Sequence, residues 1–263
     1  MTGAFNVVVE RRTESEPSLD TIVFVNSLAT GTQMWDAVVA ELPPSFDVVR
    51  FDQRDRGGPL GHRPFDLDDL VEDLFDVLDG AGISKAHVAG VSLGGMVALG
   101  AAAYRPERIQ SVTAMCCAAR FRRDVWIERG RLVRAQGVVP LVPQIIDRWF
   151  TADFQQKNPD VVRQYRQMLE STDPVGYANA CDLLSEADVR EDLPTIQAPV
   201  LVISGDSDSA NPIEDQKLIA QSAPKARHEI LSRTAHLAPV AEPAHVARLV
   251  ADHAQYSSQR RKR

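Results

Sequence analysis

A G-x-S-x-G segment at residues 90–94 constrains this chain more than any other feature, because of what flanks it. The apolar run 86–89 before it predicts a short buried strand, and the small and apolar residues 96–104 after it predict a helix. A serine on so sharp a turn adopts strained backbone angles, and flanking glycines leave room for that turn. The setting predicts that Ser92 is a nucleophile exposed to a base. The simpler interpretation is a tightly packed Gly/Ser turn.

Apolar, β-branched runs recur along the chain and alternate with helical patterns. Runs typical of strands covered on both faces lie at 21–25, 48–51, 86–91, 111–116, 200–203 and, more weakly, 228–231. Residues 67–78 carry a helical apolar stripe whose start is rich in Asp, as a helix dipole favours. This alternation predicts an α/β fold with a mostly parallel central sheet and helices on both faces.

The alternation stops from residue 121 to residue 193, a stretch with no strand-like run. Helical patterns occur there at 125–133, 142–150, 161–169 and 177–184. We therefore expect a core formed by residues 1–120 and 194–263 and a helical cap formed by residues 121–193. A cap above the catalytic edge would close the pocket and select substrates.

Composition limits the possible partners and compartment. The 263 residues suit one large domain with an insertion, and the net charge of -7 argues against nucleic acid. Three cysteines, Cys116, Cys117 and Cys181, are too few for a disulfide framework and predict a reducing compartment. The start has no signal-peptide pattern, and no apolar run approaches the ~18 residues of a membrane span. We expect a cytoplasmic protein without a membrane partner, whose basic end 260–263 is solvated; homo-oligomerisation stays open.

A serine hydroxyl requires a base within hydrogen-bond reach and a carboxylate that orients the base. In a fold of this kind the chain order is Ser, acid, His. His236, in the loop after the last strand pattern, is the favoured base. The competing histidines are His62, His87, His228, His245 and His253. Asp206 and Asp208 both follow the strand 200–203; Asp208 is favoured because the loop needs length to reach the imidazole, whereas Asp206 suits the turn.

Two backbone N–H groups are needed to stabilise an oxyanion. One should belong to Leu93, directly after the nucleophile. The other should come from the loop 26–29, which follows the first buried strand, and Leu28 is the favoured donor. The alternative interpretation of this loop is an ordinary strand-to-helix turn.

Together these residues resemble the α/β-hydrolase superfamily and, within it, the 3-oxoadipate enol-lactonases. The resemblance spans residues 20–250 and rests on segments 26–30, 34–36, 90–95, 105–108, 148–150, 168–169 and 174–178. It implies the triad Ser92, Asp208 and His236. It also implies a small cyclic enol ester with a carboxylate, from aromatic-compound breakdown, that acyl transfer and hydrolysis convert to a 3-oxo diacid. No metal ion or organic cofactor is implied.

One turn departs from this resemblance. The superfamily usually has Arg-Gly-His-Gly where this chain has Arg54-Asp55-Arg56-Gly57. The two added charges either pair with each other or reshape the access of substrate. The departure leaves the choice of substrate open, but it does not affect the triad.

A substrate carboxylate requires a cation, and the planar guanidinium of arginine matches its geometry. Arg120, at the junction of core and cap, and Arg148, in the cap, are the candidates. A surface or cap-stabilising role is the alternative for each of them. Trp126 and Trp149 are either packed inside the cap or walls of the pocket.

Three functions fit these residues. The first two would act on a small-molecule ester or lactone. The first is an enol-lactonase or a close lactone hydrolase. The second is a carboxylesterase or a hydrolase of a specialised metabolite with the same triad, which the unusual turn at Asp55 and Arg56 motivates. The third is a non-catalytic, ligand-binding member of the fold, against which the complete set of Ser, Asp and His argues.

Overall fold

A seven-stranded sheet forms the centre of the molecule. The computed structural model describes residues 5–11 and 20–261, without the side chains of residues 260 and 261. The strands are β1 (Val7–Glu10), β2 (Thr21–Val25), β3 (Asp47–Phe51), β4 (Ala86–Val91), β5 (Ile109–Met115), β6 (Val200–Gly205) and β7 (Ala226–Leu231). Their order is β1-β3-β2-β4-β5-β6-β7, in which β1 is antiparallel to β3 and every other neighbouring pair is parallel.

The burial of the strands explains their composition. Every residue of β2, β3, β4, β5 and β6 is buried, whereas the edge strands β1 and β7 are partly exposed. Helices cover a parallel sheet on both faces, so its inner strands consist of continuous apolar, β-branched runs. The predicted fold class is therefore confirmed. The basic end of the chain, as far as its side chains are concerned, and most of the polar stretch after β1 lie outside the described residues.

Helices connect the strands and fill the insertion. They are α1 (Asp36–Glu41), α2 (Gly58–Gly61), α3 (Leu67–Gly80), α4 (Leu93–Tyr104), α5 (Arg123–Gln136), α6 (Val142–Trp149), α7 (Ala152–Lys157), α8 (Pro159–Glu170), α9 (Pro174–Glu186), α10 (Ile213–Ser222), α11 (Ala238–Ala241) and α12 (Pro243–Arg261). The acidic start of α3 is a capping box between Asp66 and Asp69. Helices α5 to α9 all lie between β5 and β6, where the sequence predicts helices only.

The parallel strands bring the candidate loops to one edge of the sheet. The segments after β2, β4, β6 and β7 all begin at the carboxyl ends of parallel strands of one sheet, so they lie at the same edge. Within the described part of the chain, no helix is both long and apolar enough to cross a membrane. The same residues contain no cluster of three or more His, Cys, Asp or Glu side chains that could hold a metal ion.

Candidate active site

Ser92 lies on a strained turn between β4 and α4. Its backbone has φ 56° and ψ -115°, a left-handed conformation that non-glycine residues rarely adopt. The turn is tight because its glycines contact main chain: a Cβ on Gly90 would lie 2.1 Å from the oxygen of Gly94, and one on Gly94 would lie 2.3 Å from the oxygen of Val25. The sequence context thus gives the strand-to-helix turn that it predicts.

A buried pair of side chains accompanies this serine. Asp208 Oδ2 lies 2.9 Å from His236 Nδ1, and the side chains are 0% and 5% exposed. The other oxygen of Asp208 accepts backbone N–H bonds from Ala210 (2.8 Å) and Asn211 (3.1 Å). The carboxylate is thereby fixed, and Nδ1 of His236 is the nitrogen committed to it. In the described part of the chain Nε2 of His236 makes no hydrogen bond, so it is available to a serine hydroxyl.

The loop that carries His236 is held by the insertion. The backbone N–H groups of His236 and Leu237 donate to the carbonyl oxygens of Arg148 (3.3 Å) and Trp149 (3.2 Å) at the end of α6. The position of the imidazole therefore depends on a helix between β5 and β6 as well as on its own strand.

The backbone N–H groups of Leu93 and Leu28 remain the candidate oxyanion donors. Leu93 is the first residue of α4, where N–H groups have no acceptor within the helix. Leu28 lines the same cavity as Ser92. The N–H of the next residue, Ala29, instead donates to Asp55 Oδ2 at 2.6 Å and is turned away from that cavity. Of these two neighbouring N–H groups, only that of Leu28 is left for a ligand.

Ser92 and His236 open on a cavity of about 240 Å³, large enough for a small organic ligand rather than a polymer. Its walls combine the loop after β2, the loop after β6 and helices α5 and α6. They include Ser27, Trp126, Trp149, Tyr177 and Asn211, and three arginines, Arg122, Arg129 and Arg148. The hydroxyl of Ser27 is buried and has no hydrogen-bond partner among the residues that the structure describes.

Two of these arginines are half-buried cations without a carboxylate partner among the described residues. Arg129 lies over the ring of Trp126, 4.6 Å from its centroid. Burial, followed by the nearby charge of Arg129, lowers the pKa of Arg148, yet a guanidinium stays charged at neutral pH. Arg122, by contrast, is exposed and pairs with Asp124 at 2.9 Å. These two cations make the cavity suited to an anion, although Asp215 also lines it.

Comparison with known proteins gives this site a family. The model of the alpha/beta hydrolase fold family matches residues 20–243. The chain belongs to this family. This hydrolase is 37% identical to 3-oxoadipate enol-lactonase 1 of Acinetobacter baylyi (84% of each chain covered) and 32% identical to 3-oxoadipate enol-lactonase 2 of the same organism (91% and 90% covered).

A solved structure extends the likeness to the whole architecture of the hydrolase. The enol-lactonase from Burkholderia xenovorans LB400 superposes with a TM-score of 0.90 at 31% sequence identity, covering 95% of this chain and 96% of that one. The agreement includes the insertion, because so little of either chain is left out. The resemblance to the enol-lactonases predicted from sequence is confirmed.

The hydrolase places the other histidines and Asp206 elsewhere. Asp206 is exposed and accepts a hydrogen bond from Ser207. His62 contacts Asp173, His87 contacts Ser111, His228 contacts Ser204, and His253 contacts Val112. These contacts hold the four rings away from the cavity. His245 does not line the cavity either.

Among the predicted substrate-binding residues of the hydrolase, Arg148, Trp126 and Trp149 line the cavity and Arg120 does not. Arg120 is half-exposed and forms an ion pair with Asp188 (3.7 Å), so the prediction places it wrongly: the chain turns it toward the surface at the junction. Arg129 was missed. The signal was present, because Trp126 and Arg129 are three residues apart and therefore share one face of α5.

The unusual turn of this hydrolase does not form the internal ion pair that its charges suggest. Arg56 Nη1 contacts Thr172 Oγ1 (2.9 Å) and the carbonyl oxygen of Ala29 (3.2 Å), whereas Asp55 binds the N–H of Ala29. Neither residue lines the cavity. Burial raises the pKa of Asp55 to about 6, and the nearby charge of Arg56 opposes that rise, so the two charges interact without a direct ion pair. An effect of this turn on substrate access stays a prediction.

Proposed function

We propose that this protein is a serine hydrolase that opens a small carboxylated enol-lactone, as its enol-lactonase relatives are named to do. The observation that carries the proposal is one cavity that holds Ser92, the Asp208-oriented His236 and the two unpaired cations Arg129 and Arg148. Nucleophile, base and an anion-binding wall thus face the same ligand. We also propose that residues 121–193 act as the cap that closes this cavity.

In the first step Ser92 Oγ attacks the lactone carbonyl carbon while Nε2 of His236 takes the hydroxyl proton. The carbonyl oxygen becomes an oxyanion that the N–H groups of Leu28 and Leu93 stabilise. Collapse of the tetrahedral intermediate breaks the ring C–O bond, and the leaving enol oxygen takes the proton from His236. The enol then tautomerises to the ketone, and the acyl group stays on Ser92.

In the second step a water molecule hydrolyses the acyl group from Ser92. His236 removes a proton from water, and the resulting hydroxide attacks the acyl carbon through a second oxyanion in the same hole. Collapse breaks the bond to Ser92 Oγ, which takes its proton back from His236. The product is an open-chain 3-oxo diacid, and the chemistry requires no metal ion or organic cofactor.

The proposed reaction is tested by removal of the nucleophile. Ser92→Ala should reduce hydrolysis of 3-oxoadipate enol-lactone by at least about 10⁴-fold in kcat, since neighbours cannot replace an attacking hydroxyl. A fluorophosphonate probe should label the unaltered protein and not the variant. Folded protein that is never labelled and turns over no lactone would point to the non-catalytic, ligand-binding alternative.

Recognition of charge is tested by exchanging arginines inside and outside the cavity. Arg148→Met should raise KM for the carboxylated lactone about 10-fold or more and leave KM for a neutral lactone of the same ring within twofold. Arg120→Met is the matched control, because Arg120 is paired with Asp188 outside the cavity. If both substrates respond alike to Arg148→Met, the enzyme fits a general carboxylesterase better.

A further inference from the structure

The loop that supplies the proposed oxyanion donor is fixed at both ends by its own side chains. Asn26 donates to the carbonyl oxygen of Phe51 (2.9 Å) and accepts from the indole of Trp35 (2.9 Å). At the far end the hydroxyl of Thr30 donates to the carbonyl oxygen of Ser27 (2.7 Å). Leu28 and Ala29 lie between Ser27 and Thr30, which this bond joins, and their own conformation needs support from elsewhere.

Ala29 is the strained residue of this loop. Its φ of 64° lies in the left-handed region, which disfavours any residue with a Cβ. Strain of this kind persists only where the surroundings determine the conformation. Here the surroundings are two consecutive residues of another turn: Asp55 accepts from the N–H of Ala29 (2.6 Å) and Arg56 donates to its carbonyl oxygen (3.2 Å).

The clamp on Ala29 bears directly on Leu28. The peptide planes on either side of Ala29 are both held, one by Asp55 and one by Arg56. The N–H of Leu28 belongs to the next plane toward the N-terminus, so holding the following planes limits the directions in which it can point. The Asp55 carboxyl is only 1% exposed, and burial keeps water from replacing it as the acceptor.

We propose that Asp55, assisted by Arg56, is a positioning residue that aims the Leu28 N–H at the oxyanion by clamping the left-handed Ala29. This inference rests on the proposed function, because it assigns the departure from the Arg-Gly-His-Gly pattern to the same serine chemistry. Asp55 touches no substrate. It acts through one backbone bond, so its effect should fall on the transition state rather than on substrate binding.

The test measures kcat and KM separately with a neutral chromogenic ester, so that the result does not depend on lactone recognition. Asp55→Ala should lower kcat about 10-fold with KM unchanged within twofold. Asp55→Asn should keep kcat within about threefold, because its amide oxygen still accepts from Ala29. Arg56→Met should lower kcat about threefold, and it provides a second measurement if Asp55→Ala folds poorly.

Two further variants separate positioning from mere stability. Asp73→Ala removes another buried carboxylate of the same region, which binds Arg54 (2.6 Å) and not the loop; it should lower the unfolding temperature and leave kcat unchanged. Ala29→Gly relieves the left-handed strain. Because Gly adopts this conformation without strain, Asp55→Ala should lower kcat by no more than about threefold in that background, so the two substitutions are coupled.

Distinct results refute the inference and the proposed function. An unaltered protein that hydrolyses no ester or lactone refutes both. An active protein whose kcat is the same within twofold in Asp55→Ala and Arg56→Met refutes the inference alone. Two other outcomes also overturn it. One is a loss of kcat in Asp73→Ala equal to that in Asp55→Ala. The other is an undiminished loss of kcat when Asp55→Ala is made in the Ala29→Gly background.

Discussion

At the scale of single residues, Asp206 and Asp208 are only two positions apart, and their different environments decide which of them can orient the proposed base. Asp208 is buried, bonded to His236 and held by two backbone N–H groups, whereas Asp206 is exposed at the turn. A buried carboxylate fixes the imidazole tautomer so that the other ring nitrogen can accept the serine proton. An exposed one cannot hold a ring in place.

Asparagine substitutions at the two positions should therefore have very different effects on catalysis. Asp208→Asn should lower kcat for ester hydrolysis about 10³- to 10⁴-fold, because the amide no longer favours the required tautomer or the imidazolium. Asp206→Asn, its matched control, should keep kcat within twofold. Steady-state kinetics with far-UV circular dichroism as a folding check measures both. If kcat fell strongly in Asp206→Asn, Asp208 would not be the acid that orients His236.

Residues of this kind differ in how far sequence predicts them. Chain order and loop position suffice to bring Asp208 to His236, because both follow recognisable strands at the same sheet edge. The partner of Ala29 could not be predicted. Asp55 and Arg56 reach it from another loop, and only the packing of the two turns determines that contact.

At the scale of elements, α12 depends on a neutral histidine. His253 Nε2 donates to the carbonyl oxygens of Val112 (3.1 Å) and Pro199 (3.3 Å), while its buried Nδ1 has no partner within residues 5–11 and 20–261. Burial, with a smaller contribution from the charge of Arg227, lowers the pKa of His253 to about 4. Protonation of Nδ1 would place an unpaired charge between α12 and the sheet.

This histidine should make the fold sensitive to acid. The unfolded chain takes up the proton at a pKa of about 6.5 and the folded chain only at about 4, so stability is full above 6.5 and declines as pH falls between these values. Between pH 7 and pH 4.5 the free energy of unfolding should decline by about 2 kcal/mol less in His253→Gln than in the unaltered protein. Urea titrations measure this difference.

His245→Gln on the same helix is the control, because His245 is only partly buried and has no such contacts. Its pH dependence should match that of the unaltered protein. If His253→Gln and His245→Gln behave alike, the acid sensitivity has another source.

The elements themselves are the most predictable part of the fold. Continuous apolar runs identify β2 to β6 within one or two residues at most ends, since burial on both faces leaves no other composition. The cap over the cavity and the helical patterns of α5 and α6 were predicted, whereas the short helix α7 and the cavity-facing side of α5 that carries Arg129 were not. Helical periodicity indicates an apolar face, but it does not say which neighbour that face covers.

At the scale of the whole molecule, the insertion and the sheet share one hydrophobic core. They are further joined by polar contacts: Asn179 of α9 donates to the carbonyl oxygen of Gly61 (2.9 Å), and Arg56 donates to Thr172 (2.9 Å). A segment connected in this way should not unfold independently of the sheet.

The three tryptophans allow this to be measured, because Trp35 is in the core and Trp126 and Trp149 are in the insertion. In Trp35→Phe, fluorescence reports on the insertion; in the double variant Trp126→Phe/Trp149→Phe, it reports on the core. In each variant the urea midpoint by fluorescence should coincide with that by far-UV circular dichroism. An earlier fluorescence transition in Trp35→Phe alone would mean that the insertion melts first.

The bonds from His236 and Leu237 to the carbonyl oxygens of Arg148 and Trp149 have a consequence for how this enzyme can diversify. Helix α6 carries Arg148, the proposed carboxylate-binding residue, and also holds the loop of His236, the proposed base, so selection on one should alter the other. Helix α5 lines the same cavity, and no described hydrogen bond joins it to the loop of His236. New substrate ranges should therefore arise more readily by variation in α5, and a library that randomises α5 should retain more active clones than one that randomises the end of α6.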